Sequence, residues 1–348
     1  MKPIHPVISA IIERWESGSQ PLDRRDGKRI ALAIEGGSMR GVVSAGMVTG
    51  LEYLGLLSAF DAVYGTSAGA MNGAYFIAGQ AAFGTTIYYE NINNKKFIDP
   101  LRALKGKPIV SLEFLMEHVM IDEKVLDWRT VIDSPIPLKP VASSIRSAQS
   151  VVLDRFSSRE ELFASLKASA RIPMFAGPPV PISDDQYVDG SLFDSIPFRS
   201  AIQGGYSHVL ALLTRPEGSQ QVRSGFVDRY AFPRYIRRFN PALSPASSER
   251  QKNYAREIEW LMQQTSEPSG PPFICAVRPG RESRTVSRME KGRERLVCGA
   301  RDGMESVMKL FCPGRRGYTE VLTPFSPDGR RIESPAKRED ESVNVTST

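Results

Sequence analysis

Twice within the first eighty residues, an apolar run ends in a glycine-rich turn that opens at once into a helix-forming stretch. In the first unit Arg29–Ile34 leads into Gly36-Gly37-Ser38-Met39-Arg40-Gly41 and then Val42 to Leu57. In the second, Ala59–Tyr64 leads into Gly65-Thr66-Ser67-Ala68-Gly69 and a helix from Ala68 to Ala78. Two such units in succession predict a parallel sheet, because parallel neighbours are joined by a crossover that packs on the sheet face. The second helix is rich in small residues, which lets it lie close against the strands.

Ser67 occupies the centre of a Gly-x-Ser-x-Gly pentad, and a strand bending sharply into a helix is the geometry that exposes a nucleophilic hydroxyl. Gly65 and Gly69 let the chain bend there and let neighbours approach the serine. The helix N-terminus directs amide hydrogens at the same point. The upstream turn offers further donors: the amides of Gly36, Gly37 and Ser38, with that of Ala68, are candidates to hold an oxyanion, each contributing about 3 to 4 kcal/mol when tested by removal. A phosphate-binding turn is the competing reading. It fits less well, since Gly-x-Ser-x-x-Gly lacks the second glycine of the dinucleotide fingerprint and no Gly-Lys-Ser/Thr occurs in the chain.

A serine hydroxyl is a poor nucleophile without a base, normally histidine. The chain has only three, His5, His118 and His208, placed in the N-terminal segment, in an amphipathic helical stretch (Leu112, Leu115, Met116, Val119) and in a strand from Ser207 to Thr214. Each reads as structural. A carboxylate held beside the hydroxyl in a dry site serves instead. Asp189 is the best placed, at the end of an apolar strand in Gln186-Tyr187-Val188-Asp189-Gly190-Ser191, although Asp-Gly is also an ordinary turn dipeptide.

Glu35 to Gly41, Gly65 to Gly69 and Asp189-Gly190, in that order and spacing, resemble the patatin-like phospholipases. The resemblance implies a three-layer α/β/α fold with a mostly parallel central sheet, and a Ser-Asp dyad without histidine. Ser67 would be the nucleophile and Asp189 the base, with Gly36, Gly37, Ser38 and Arg40 forming the oxyanion loop that Gly41 closes. Lys167-Ala168-Ser169-Ala170-Arg171-Ile172-Pro173 looks like the family's Ala-Ser-x-x-x-Pro approach to the aspartate. The likeness continues through Leu210 to Pro216, Val277-Arg278-Pro279 and Val286-Ser287-Arg288, which are similar to a bacterial subgroup. Two departures stand out: Ser38 replaces a third glycine, and Ser191 stands where many members have Gly or Ala. A Cβ at residue 38 narrows the backbone angles open to the loop.

The implied organisation is an N-terminal helix and arm (1–28), a catalytic domain (29–215), an extension packed on it (216–312) and a tail (313–348) whose Pro, Ser, Thr, Arg and Glu content predicts disorder. Val7, Ile8, Ile11, Ile12 and Trp15 make one face of a short helix, a docking face. Net charge is −1 over residues 1–214 and +7 over 215–348. Arg234, Arg237 and Arg238 among Phe232, Tyr235, Ile236 and Phe239 suit an anionic membrane surface, or equally the solvated side of a docked helix. No motif supports nucleic acid binding.

Three cysteines without ligand spacing, and no signal-peptide pattern, fit a cytoplasmic protein that needs no metal or other cofactor. The expected substrate is a lipid or other acyl ester. Phe83, Tyr88, Tyr89, Phe97, Phe114 and Leu115 are candidates for an acyl channel, with plain core as the bland reading. Two rivals accompany the dyad: a Ser-Asp-His esterase using His208, and a catalytically silent lipid-binding or scaffold protein.

Overall fold

The computed structural model describes residues 4–219 and 230–312. In chain order these form α1 (Pro6–Glu16), β1 (Ile30–Ile34), α2 (Val42–Tyr53), β2 (Ala62–Thr66), α3 (Ala68–Ile77), α4 (Ala81–Glu90), α5 (Trp128–Asp133), β3 (Leu138–Ser144), β4 (Gln149–Val152), α6 (Arg159–Ala170), β5 (Val180–Ile182), β6 (Asp185–Asp189), α7 (Phe198–Gln203), β7 (His208–Leu212), α8 (Phe232–Ile236), α9 (Leu243–Ser266), β8 (Phe273–Val277) and α10 (Arg293–Phe311). The tail expected to be disordered, 313–348, lies outside the described residues.

The strands make one sheet, hydrogen-bonded along the path β5-β6-β3-β2-β1-β7-β8, with β4 also paired to β3. Pairings among β3, β2, β1, β7 and β8 are parallel; those of β4, β5 and β6 are antiparallel. The strand period of two divides β1 and its neighbours between two cores. Ile30, Leu32, Ile34, Val63, Leu210 and Leu212 face the layer of α2, α3, α4 and α10; Ala31, Ala33, Ala62, Tyr64, Val209 and Ala211 face α7 and α9. This is the three-layer α/β/α fold with a mostly parallel sheet.

β2 begins at Ala62, three residues later than the apolar run suggested, and continues through Gly65 and Thr66. Asp61 marks the strand's entrance: its amide donates to the Ile30 carbonyl at 2.7 Å, while its carboxylate accepts the Ile30 amide and the guanidiniums of Arg14 and Arg24. Arg14 belongs to α1, whose Val7, Ile8 and Ile11 are buried against the molecule while Trp15 stays exposed.

The segment after residue 230 is built into the same sheet. β8 extends it beyond β7, α9 packs on β8, and α10 packs on α2 and α4 in the opposite layer. α10 crosses α2 at very short range: a Cβ on Gly46 would lie 2.7 Å from the Ala300 carbonyl carbon, and one on Gly303 2.9 Å from that of Val43. In α8, Phe232 and Ile236 pack with Ile145, Val188 and Leu192, leaving Arg234, Arg237 and Arg238 exposed. No helix among the described residues is long and apolar enough to cross a membrane.

Candidate active site

β3 is the template on which the site is assembled. β2 lies parallel to it and ends with Thr66 opposite Val141; β6 runs antiparallel to it and ends with Asp189 opposite Ala142. Val63 donates to the Pro137 carbonyl and Ile145 to the Gln186 carbonyl. Backbone groups alternate between the edges of a strand, so Pro137 and Ile145, an even number of residues apart, face the same edge. β2 and β6 therefore share one edge of β3 end to end, with their C-terminal ends converging. The contact is close: a Cβ on Gly190 would lie 3.0 Å from the Thr66 methyl carbon. Thr66 Oγ1 also donates to the Asp194 carbonyl at 2.8 Å, tying the loop after Asp189 to the end of β2.

At that convergence the chain leaves β2 through Ser67, whose φ of 57° and ψ of −127° are a strained conformation for a residue with a side chain. Its amide donates to Ser169 Oγ at 2.9 Å, and Ser169 Oγ donates to the Val141 carbonyl at 2.6 Å. Gly36 presses on it from the facing turn, where a Cβ would fall 2.8 Å from Ser67 Cβ, so only glycine fits. Asp189 is buried. Its Oδ1 accepts the Ser191 amide at 2.8 Å, whereas its Oδ2 has no hydrogen-bond partner among the described residues. The departure at Ser191 is thus harmless to this contact, because any residue but proline supplies the amide.

Gly37 has φ 144° and Ser38 φ 54°. Among the described residues the amides of Gly37, Ser38 and Ala68 make no backbone or side-chain hydrogen bond. Arg40 is tied down beneath the turn: Nε donates to Thr214 Oγ1 at 2.9 Å and Nη2 lies 3.5 Å from Glu35 Oε1. Glu35 in turn accepts the Thr214 amide and, at 2.8 Å, the Tyr254 hydroxyl. Burial, and then the charge of Glu35, push the Tyr254 phenol upward, so it remains a neutral donor. Gly41 lines no cavity here; a Cβ on it would lie 2.6 Å from Ala68 Cβ, and its carbonyl accepts from Asn72 Nδ2 at 2.9 Å. Gly65 and Gly69 hold α3 against the end of the sheet, where a Cβ on Gly69 would lie 2.9 Å from the Ile34 carbonyl carbon.

Two cavities meet at Ser38 and Ser67. One, of about 40 Å³, is walled by apolar groups including Met71, Tyr88, Phe97 and Leu115. Of the six proposed channel residues, Phe83, Tyr89 and Phe114 are absent from this wall and pack in or against the core. The other cavity, of about 240 Å³, also contains Asp189, Gly36, Gly37, Arg40, Arg250, Tyr254 and Arg288. Two of its cations, Arg250 and Arg288, come from segments more than fifty residues beyond Asp189; Arg288 falls in the Val286-Ser287-Arg288 stretch noted in the sequence, whereas Arg250 had no such signal.

The histidines lie elsewhere. His5 caps α1, accepting the Val7 amide, and His118 pairs with Asp122 on an exposed helical turn. His208 opens β7 opposite Ile30, at the N-terminal end of β1, whereas Ser67 follows the C-terminal end of β2. It stacks near Phe273 and lines neither cavity. Among the described residues no group of three or more His, Cys, Asp or Glu could hold a metal ion.

The sheet, the strained serine turn and the converging aspartate define a three-layer α/β/α protein in which a strand bends sharply into a helix at Ser67. Residues 32–202 match the family model of the patatin-like phospholipases. The chain is also similar to an uncharacterized protein, YjjU of Escherichia coli (strain K12), with 25% identity over 323 residues covering 86% of this chain and 84% of that one. That likeness therefore extends past residue 202, into the segment that supplies α9, β8 and α10.

Proposed function

We propose that the protein is a serine acyl hydrolase that cleaves carboxylic esters of lipids through a dyad of Ser67 and Asp189. Ser67 Oγ attacks the ester carbonyl while its proton passes to Asp189 Oδ2, and the amides of Gly37, Ser38 and Ala68 receive the oxyanion. Collapse breaks the bond to the alcohol oxygen, which leaves with the proton from Asp189. Water then repeats the sequence against the acyl-enzyme, releasing the fatty acid and restoring the serine.

The observation that carries this reading is the convergence of β2 and β6 on consecutive residues of β3, which puts a strained serine and a carboxylate with one oxygen unpartnered among the described residues on one cavity. Arg40 is read as a brace for the oxyanion loop, given its bonds to Thr214 and Glu35. Ser67→Ala and Asp189→Asn should each remove hydrolysis of a short-chain aryl ester, and a fluorophosphonate should label the folded parent protein at Ser67. Labelling that fails, or full activity in either variant, overturns the proposal. His208→Ala should keep its activity, and losing it would favour the Ser-Asp-His alternative.

A further inference from the structure

The cavity that holds Ser67 and Asp189 has one wall of guanidinium groups, and most of them come from outside the segment that carries the dyad. Arg40, Arg250 and Arg288 line it, and Arg215 lies behind, over the Tyr254 ring at 4.8 Å. Against the charges of Arg40, Arg215 and Arg288 stand two carboxylates that line the cavity among the described residues, Glu35 and Asp189, and Glu35 already serves Arg40, Thr214 and Tyr254. Arg250 rests on the Phe232 ring, its guanidinium carbon 5.4 Å from the centroid.

Arg288 differs from Arg40. It is open to solvent in the cleft, and makes no ion pair among the described residues. Open to solvent as it is, its guanidinium stays cationic at neutral pH. Its backbone is fixed at the site, because the carbonyl of Arg288 accepts the amide of Met39, the residue after Ser38, at 3.3 Å. A guanidinium so placed presents a fork of donors beside the oxyanion turn, the arrangement that binds phosphate oxygens well.

We infer that Arg288, with Arg250, binds a phosphate group carried by the substrate, and that the enzyme prefers acyl esters whose headgroup is anionic over those whose headgroup is neutral or zwitterionic. This rests on the hydrolase reading for its site but not for its test. The two cavities give the substrate a direction: the acyl chain enters the apolar one, the scissile carbonyl sits at Ser67, and the phosphate meets Arg288. The ammonium of a zwitterionic headgroup would enter a cleft already in positive excess, and a field focused by low-dielectric walls penalises it.

Binding and turnover separate the two claims. The full-length Ser67→Ala protein is titrated calorimetrically with dihexanoyl phosphatidate, dihexanoyl phosphatidylcholine and inorganic phosphate. Phosphatidate should bind at least tenfold more tightly than phosphatidylcholine, and Arg288→Ala in the same background should bring the two within threefold, with Arg288→Lys intermediate. In the active protein the ratio of kcat/KM for phosphatidate over phosphatidylcholine should fall at least tenfold on Arg288→Ala. Equal affinities in the parent, or a ratio that Arg288→Ala leaves in place, overturns the inference. Tight binding of inorganic phosphate with no preference among the lipids also overturns it, since the site would then serve the free ion. Catalytic silence with the binding preference intact would sink the hydrolase reading and leave this one standing.

Discussion

The hydroxyl of Ser169 stands between the amide of Ser67 and the sheet. In a regular continuation of the parallel ladder, Val63 N–H to Pro137 O would be followed two steps later by Ser67 N–H to Val141 O. Ser169 Oγ is inserted into that last bond, accepting from Ser67 and donating to Val141. The serine turn can leave the sheet there without orphaning either backbone group.

Removing that bridge should cost both stability and rate. Ser169→Ala leaves a buried amide and a buried carbonyl unpaired, a loss of roughly 1–3 kcal/mol. Thermal unfolding should report the first effect. On the proposed function, turnover of an aryl ester should report the second as a fall in kcat with little change in KM, because the position of Ser67 is disturbed and the cavity walls are not. Parent-like values of both would show the bridge to be dispensable.

At residue 38 the backbone matters and the hydroxyl does not. Ser38 holds φ 54°, where glycine is unstrained and a β-branched residue is an outlier. Ser38→Gly relieves strain but frees the unfolded chain, so its stability should stay within about 1 kcal/mol of the parent, and aryl ester hydrolysis should persist. Ser38→Val should lose stability and activity together. Chemical denaturation with parallel kinetics tests the contrast, and a well-tolerated valine would contradict it.

Asp194 and Glu257 make folding sensitive to pH. Burial raises Asp194 to about 6 and Glu257 to about 7, with the charge of Asp194 adding to the latter. Both folded values exceed the unfolded ones, so between about pH 4 and 7 the folded state binds more protons than the unfolded state and these groups' contribution to stability falls as pH rises. The shift of Asp194 corresponds to roughly 3 kcal/mol. Asp194→Asn can keep one oxygen on Ser200, whose amide and hydroxyl Asp194 Oδ2 accepts. It should unfold at a higher temperature than the parent at pH 8 and show a smaller change between pH 5 and 8. An undiminished pH dependence in that variant would refute the assignment.

The crossing of α2 and α10 tolerates no side chain at its closest points. Gly303→Val would push a β-branched group against the Val43 carbonyl, and either helix must move. Since α2 opens directly from the glycine turn, aryl ester turnover should fall along with a loss of several kcal/mol in stability, the size of a severe overpacking defect. Gly292→Ala, where a Cβ would meet side-chain atoms alone, the Glu290 carboxylate at 3.2 Å and Arg295 Cβ at 3.8 Å, is the control expected to be mild.

Local pattern was enough for the parallel α/β class, for the two glycine turns and for the position of Ser67. Those features follow from which residues can bend, bury or leave room within a few positions of one another. The role of Asp61 at the entrance of β2 was not legible because its carboxylate is held by Arg14, Arg24 and the Ile30 amide, partners that only folding brings to it. The same holds at the candidate site. Asp189-Gly190 taken alone is an ordinary turn, and Ser169 shows no role until the register of β3 places it under Ser67.

The sequence by itself therefore determined the class of fold, the turn that carries the serine and the scarcity of histidine around it. Only the tertiary structure decided that β2 and β6 end on neighbouring residues of β3, that His208 opens a strand at the far end of the sheet, and that Arg250 and Arg288 reach the cavity. Strand register, and contacts between segments far apart in the chain, depend on how whole elements pack, and short-range periodicity carries no measure of that.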